Sequence, residues 1–188
     1  MKTKAQRRSR KQEQRIAEEI GGRTQPGSGN TWHSKSDVRA ILDLRIEAKY
    51  TDQDYYILKR ADLFELEDAA LRGGLEDWAM QVDFSLFSRK YAIISYRWFL
   101  ETQPLTQRPL YQSVIDSEAK SLRLHVNEIM TMAGGAAANG GDWSYCLIFA
   151  PKDENTSSYA LIDWDQFLHL REVAKCRLQA GPSSSGSS

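Results

Sequence analysis

The sequence predicts an α/β fold in which helices flank a central sheet, with an additional helix plus strand-hairpin unit in the C-terminal half. Three observations carry that expectation. An apolar stripe at helical spacing lies near the start, one segment in the first third alternates strictly, and two later segments each read as helix, strand, loop, strand.

The first element follows a basic stretch. Lys2, Lys4, Arg7, Arg8, Arg10 and Lys11 all precede the first acidic residue, Glu13, so residues 1–11 read as a basic flexible arm. Such an arm either neutralises phosphates, releasing counterions, or is a solvated tail. From Gln12 to Ile20 the residues Ile16, Ala17 and Ile20 form a helical stripe that Gly21-Gly22 terminates. Glu13 shares that face, which either turns its carboxylate toward the protein or leaves it in a solvated first turn, where a negative charge suits the helix dipole.

Pro26-Gly27-Ser28-Gly29-Asn30 follows, either a close-approach loop for another backbone or ligand, or simply a turn. The segment Leu44-Arg45-Ile46-Glu47-Ala48-Lys49-Tyr50 then alternates, which predicts a strand with Arg45, Glu47 and Lys49 on one face and Leu44, Ile46, Ala48 and Tyr50 on the other. A face carrying three charges is expected to meet water, a metal or a ligand.

The rest of the chain repeats itself in part. Residues 57–84 align with 122–149 at an offset of 65, which sets Asp77-Trp78 over Asp142-Trp143, and residues 91–100 align with 159–168 at an offset of 68. Leu63, Leu66 and Ala70 supply the helical stripe of the first unit, and Val126, Ile129, Met130 and Ala133 that of the second. The expected strands are 79–84 with 91–96, and 144–149 with 159–164. The organisation is therefore a basic arm over 1–11, a core over 12–100, an appended and partly duplicated unit over 101–180, and a flexible Gly/Pro/Ser tail over 181–188.

Composition narrows the class. With 188 residues, 41% hydrophobic and 27% charged, the chain has enough apolar material for one good-sized core. The absence of a long apolar run predicts no membrane partner and a cytoplasmic location. Cys146 and Cys176 have neither C-x-x-C spacing nor a histidine cluster beside them, so they read as ordinary reduced cysteines.

The residues that carry chemistry are Asp37, Glu47 and Lys49. Hydrolysing a phosphodiester needs an activated water and charge neutralisation at the phosphate, which carboxylates holding a hard cation such as Mg²⁺ provide. Asp37 stands ten residues before Glu47, a separation that suits the two strands of a hairpin. Lys49, two residues beyond Glu47, falls on the same strand face roughly 7 Å further along, within reach of the attacking water or the phosphate.

Ser36-Asp37 followed by Arg45-Ile46-Glu47-Ala48-Lys49-Tyr50-Thr51 resembles the core of the PD-(D/E)XK nuclease superfamily. The surrounding Gln12-Glu13, Gly21-Gly22-Arg23, Pro26-Gly27-Ser28-Gly29-Asn30 and Lys35-Ser36-Asp37 occur in an order similar to phage and archaeal Holliday-junction-resolvase-like members. The resemblance covers residues 12–100 and, more loosely, 120–170. It departs at Ser36, where the superfamily's name places proline.

What the resemblance implies is a restriction-endonuclease-like mixed sheet and a Mg²⁺-dependent DNA endonuclease, with Mn²⁺ able to substitute. Asp37, Glu47 and Glu13 would be the metal ligands, with Lys49 as the fourth catalytic residue. Branched DNA would be the substrate, a homodimer the active form, and host cytoplasm the setting if the gene is phage-borne. Arg8, Arg10, Lys11, Ser28, Asn30, Lys35 and Lys59 are the candidate DNA contacts. Rival readings are a restriction-type or general nicking nuclease, and a DNA-binding module of this fold that no longer cuts, using the basic arm, Lys35, Arg39 and Lys59. A third is an interaction protein whose second half recognises a partner chain.

Glu118-Ala119-Lys120 repeats the Glu-x-Lys spacing but lacks a glycine-rich turn or an acidic hairpin partner before it, so it reads as solvated charge. His33 either contacts phosphate or is an exposed loop residue. Gln81 either lines the cleft or is a cross-strand neighbour.

Overall fold

A computed structural model of the chain describes residues 3–24, 38–39, 44–75, 77–102, 111–115, 120–138, 144–149 and 158–180. Helix α1 (Lys4–Ile20) begins well before the apolar stripe. Its start is a capping box: the Thr3 hydroxyl accepts from the Gln6 N–H at 3.2 Å and the Gln6 side chain accepts from the Thr3 N–H at 2.9 Å. Its end is Gly21, which adopts the left-handed conformation (φ 62°) that glycine takes without a Cβ penalty. The basic stretch expected as a flexible arm is thus mostly helical from Lys4 onward, because the cap satisfies the helix start and Arg8 and Gln12 make contacts on the sheet. The 181–188 tail lies outside the described residues.

Strands β1 (Arg23–Thr24), β2 (Val38–Arg39) and β3 (Leu44–Thr51) are followed by β4 (Tyr55–Lys59), α2 (Arg60–Arg72), β5 (Asp77–Phe84), β6 (Arg89–Ser95) and α3 (Tyr96–Thr102). The second half gives β7 (Tyr111–Ile115), β8 (Ser121–His125), α4 (Val126–Ala138), β9 (Ser144–Ile148), β10 (Tyr159–Asp163) and α5 (Trp164–Ala180). Among the described residues eight strands form one mixed sheet in the order β1-β2-β3-β5-β6-β10-β9-β7, while β4 and β8 pair separately. The protein is therefore α/β with a mixed sheet flanked by helices.

Both faces of the sheet are covered. Trp78, Met80, Val82 and Phe84 of β5, Tyr91 and Ile93 of β6, and Tyr159 and Leu161 of β10 pack with α2, α4 and the β4–β8 ribbon. The intervening Ala79, Ala92, Ile94, Ala160 and Ile162 pack against α1, α3 and α5. Burial on both faces explains why β5 is buried along nearly its whole length, Gln81 and Asp83 included.

The halves are related by a pseudo-two-fold. After β1 and β2, each runs β, β, α, β, β, α. The β4–β8 ladder pairs Tyr55 with His125 and Lys59 with Ser121, and an offset of 66 turns one pair into the other. Two backbone bonds obey the same offset, Arg60 N–H to Lys120 C=O at 3.0 Å and Val126 N–H to Asp54 C=O at 2.9 Å. At the centre of the main sheet β6 meets β10, where Tyr91 faces Asp163 and Ser95 faces Tyr159, an exchange at offset 68. The parallel pairs match too: Leu44 faces Asp77 and Tyr111 faces Ser144, a separation of 33 in both halves.

The 65-residue offset read from Asp77-Trp78 is therefore corrected to 66 for the strands. A one-residue slip reverses strand faces, so the matched Asp-Trp pairs do not mark equivalent positions. In the second helical stripe Val126 and Ile129 are buried, whereas Met130 is 38% exposed.

Candidate functional site

The site residues sit on β3, whose alternation is as the sequence predicts but whose charged face is not uniform. Leu44 and Ile46 enter the α1 side of the core, with Ala48 packed against it. On the other face Arg45 is only 3% exposed, and its Nη1 donates to the Ala69 carbonyl at 2.6 Å. Arg45 thus lies beneath the last turns of α2 and adds a second donor to a carbonyl that also accepts from the Gly73 N–H at 3.2 Å. Only Glu47 and Lys49 keep access to solvent.

These two converge. Lys49 Nζ donates to Glu47 Oε1 at 2.8 Å, with side chains 31% and 23% exposed. Burial lowers the Lys49 pKa, but the Glu47 charge and hydrogen bond, with smaller contributions from Tyr56 and Asp62, raise it overall above its ordinary value. Tyr56 on β4 is pushed up chiefly by burial, against the pull of the Lys49 charge. Four side chains therefore share one electrostatic neighbourhood on the α2 side of the sheet: Glu47, Lys49, Tyr56 and Asp62.

Sequence reasoning missed Tyr56 and Asp62. The available signals were the inward phase of Tyr56 with buried Leu58, and the place of Asp62 in the first turn of α2.

Asp37, the partner carboxylate expected on the hairpin, lies outside the described residues, as do Ser28, Asn30, Lys35 and His33. The neighbouring ladder is described: β2 and β3 are antiparallel, with Val38 facing Ile46 and Arg39 facing Arg45. In sequence Asp37 directly precedes Val38, and Glu47 directly follows Ile46. Glu118 also lies outside the described residues.

Glu13 is on α1, whose stripe of Ile16, Ala17 and Ile20 packs on the Leu44/Ile46 face, opposite the face that carries Glu47 and Lys49. It is half-buried and accepts from the Ser9 hydroxyl at 3.0 Å. Its neighbour Gln12 is the residue that reaches the sheet. Gln12 Nε2 donates to the Lys49 carbonyl at 2.9 Å and to Gln81 Oε1 at 3.1 Å. Gln81 is fully buried, and its Oε1 accepts this bond from α1.

Further anchors fix α1. Arg15 pairs with Asp83 at 2.7 Å, and Glu19 accepts from Lys90 at 3.0 Å and from the Trp164 indole at 2.7 Å, reaching the second half.

The described basic candidates are all exposed. Arg10 and Lys11 project from α1 and Lys59 ends β4, while Arg8 donates to the Tyr50 hydroxyl at 2.9 Å with its guanidinium 5.6 Å from the ring centre.

A cavity of about 360 Å³ opens at the N-terminal end of β5, lined among others by Glu67, Asp77, Trp78, Trp98 and Glu101. Glu47 and Lys49 are not among the residues that line it. Among the described residues no group of three or more His, Cys, Asp or Glu side chains is placed to hold a metal. None of the described helices is long and apolar enough to cross a membrane.

No protein-family model matches the chain, and no curated protein sequence matches it.

Proposed function

We propose that this chain is a metal-dependent DNA endonuclease of the restriction-endonuclease-like fold, with Glu47 and Lys49 at its centre. The observation that carries this reading is the Lys49 Nζ–Glu47 Oε1 contact of 2.8 Å, made by side chains two positions apart on the strand that pairs with β2. One carboxylate and one ammonium at a partly exposed strand face are two of the groups that metal-dependent phosphodiester hydrolysis can use, the carboxylate toward a cation and the ammonium toward the phosphate.

The residues fit a hard cation. Glu47 offers carboxylate oxygen, and Asp37, next to Val38 in sequence, is the second carboxylate that the resemblance supplies. Asp37 and Glu47 are assigned to hold Mg²⁺, which Mn²⁺ can replace. Glu13 is a third ligand in the resemblance alone, and α1 carries it on the sheet face opposite Glu47, so it is left out of the proposed ligand pair. When bound, the cation would polarise the phosphate and lower the pKa of a water molecule.

The chain's own groups do the rest. Lys49, kept charged by Glu47, stabilises negative charge on the phosphate or orients the attacking water. Tyr56, held protonated by burial, is a hydrogen-bond donor to the same region. Arg8, Arg10, Lys11 and Lys59 are assigned to phosphate contacts, with Ser28, Asn30 and Lys35 added from the resemblance. Branched DNA is the favoured substrate and a homodimer the favoured assembly, both from the resemblance. Linear duplex, cut or nicked, is the nearest alternative.

The test is cleavage of matched linear duplex, single-stranded, flap and four-way-junction DNA in Mg²⁺ or in EDTA, beside Lys49→Ala. Metal-dependent cutting lost in the variant is expected. Cutting in EDTA, or cutting that Lys49→Ala leaves unchanged, would remove the site from consideration.

A further inference from the structure

We infer that the cavity at the N-terminal end of β5 binds an organic cation, a protonated amine or a guanidinium, whose frame lies against two indoles while carboxylates accept from its N–H groups. Glu47 and Lys49 take no part in this site, and it stands independently of the nuclease reading.

The cavity opens where the two layers of the core meet at one end of the sheet. Glu67, Ala70 and Leu71 reach it from the second half of α2, Asp77 and Trp78 from the start of β5, and Trp98 and Glu101 from α3. Trp78 belongs to the layer that packs with α2, and Trp98 packs against the layer shared with α3 and α5, so both layers supply a wall. Each indole is braced by a buried aromatic neighbour. The Trp78 ring centre stands 5.6 Å from that of Tyr159, and the Trp98 ring centre 5.8 Å from that of Phe167. The walls are therefore held by the core itself, and about 360 Å³ is room for a small organic molecule.

Charge selects the class of ligand. Three carboxylates line the cavity, those of Glu67, Asp77 and Glu101, against one cation, Arg97. Arg97 is turned to solvent, with its side chain 87% exposed and its Nε donating to Glu101 at 2.8 Å. Glu67 accepts from the Tyr159 hydroxyl at 3.3 Å, a neutral partner that brings no counter-charge. Such a wall repels an anion, and a neutral apolar molecule would strip water from the carboxylates without replacing it. The carboxylates are also spread rather than convergent, because among the described residues no three acidic, His or Cys side chains are placed to share a metal ion. That spacing suits N–H donors distributed over an organic frame.

The indoles complete the match. A cation is drawn to the ring face, most strongly to that of tryptophan, and charge-assisted N–H bonds to carboxylates fix its orientation. Trp78 is only 5% exposed, and among the described contacts its indole N–H donates to nothing, so an oxygen on the same ligand would satisfy it.

The experiment follows the indole N–H signals of isotope-labelled full-length protein by NMR, with those of Trp78 and Trp98 assigned through Trp78→Phe and Trp98→Phe. The probes are ethylguanidinium, its uncharged counterpart ethylurea, and a blocked Gly-Arg-Gly peptide, all at constant ionic strength. Ethylguanidinium should shift both signals saturably, and ethylurea should leave them in place. Glu67→Gln, Asp77→Asn and Glu101→Gln should each weaken binding by at least about 5-fold. Glu172→Gln, outside the wall, should bind like the parent, and thermal unfolding shows which variants fold.

Peptide binding tighter than that of ethylguanidinium makes an arginine side chain of a partner the occupant, whereas weaker or absent peptide binding makes it a free small cation. Both uphold the site. No shift with ethylguanidinium, a shift that never saturates, an equal response to ethylurea, or an affinity unchanged in every folded carboxylate variant overturns it.

Discussion

Lys49 donates to Glu47 at 2.8 Å across one turn of the β3 pleat, and both side chains remain partly open to water. A half-exposed pair of this kind contributes about 0–1 kcal/mol to folding, so its presence is poorly explained by stability. Lys49→Ala should therefore lower cleavage by about 100-fold or more, the loss typical of removing one preorganised electrostatic group. Unfolding free energy should fall by no more than about 1 kcal/mol. A variant that loses several kcal/mol in denaturant titration while retaining cleavage would reassign the pair to the scaffold.

The same neighbourhood sets a pH dependence. The folded Lys49 pKa lies above its ordinary 10.5, so the fold favours the charged form. That stability is fully present below 10.5 and is lost as pH rises through the folded value. The folded Tyr56 pKa lies above 10.0, so the unfolded chain releases this proton first and folding is opposed from about that pH upward. Both act in one direction. The denaturation midpoint should drop more steeply above pH 10 in the parent than in Lys49→Met or Tyr56→Phe, and equal slopes in all three would refute the shared neighbourhood.

Gln12 and Gln81 tie α1 to the strand carrying the pair. Gln12→Ala removes the described donor to buried Gln81 Oε1 and to the Lys49 carbonyl, which should cost about 1–3 kcal/mol. Replacing both glutamines with methionine removes the buried polar pair together and should cost less than the two single changes summed. Additive losses in a double-mutant cycle of denaturation free energies would show that the two side chains act independently.

How much of this was legible in the sequence depended on the range of the interaction. The split of Leu44, Ile46 and Ala48 from Glu47 and Lys49 is a period-2 pattern, and Gly21 as a helix end is local chemistry, so both could be read. The start of α1 was also local, a Thr3–Gln6 capping box, but the density of positive charge directed attention to a tail. Arg45 was misassigned to an open face because its long side chain finds its acceptor, Ala69, on a helix 24 residues away.

The pairing of β4 with β8 and of β6 with β10 joins segments more than 60 residues apart, and nothing in either strand encodes that choice. The repeat was visible as similarity, yet its strand register was off by one because the matched Asp-Trp dipeptides outweighed the pleat. Tyr56 and Asp62 were missed because their part in the site follows from how β4 and α2 sit over β3.

The basic surface of α1 offers a measurement separable from catalysis. Arg10 and Lys11 are exposed on a helix fixed to the sheet by Gln12, so their charges are presented from a rigid support rather than a tail. If each contacts one phosphate of duplex DNA, each contributes about 0.9 to the slope of log affinity against log salt. Arg10→Ala/Lys11→Ala should flatten that slope by about 1.8 in Ca²⁺, which supports DNA binding without the expected cleavage, and should weaken binding to all sequences alike. Arg8, already engaged by Tyr50, should contribute less, because its guanidinium must leave the ring and hydroxyl to meet a phosphate. A slope unchanged by the double substitution would move the DNA path off α1 and toward Lys59 at the end of β4.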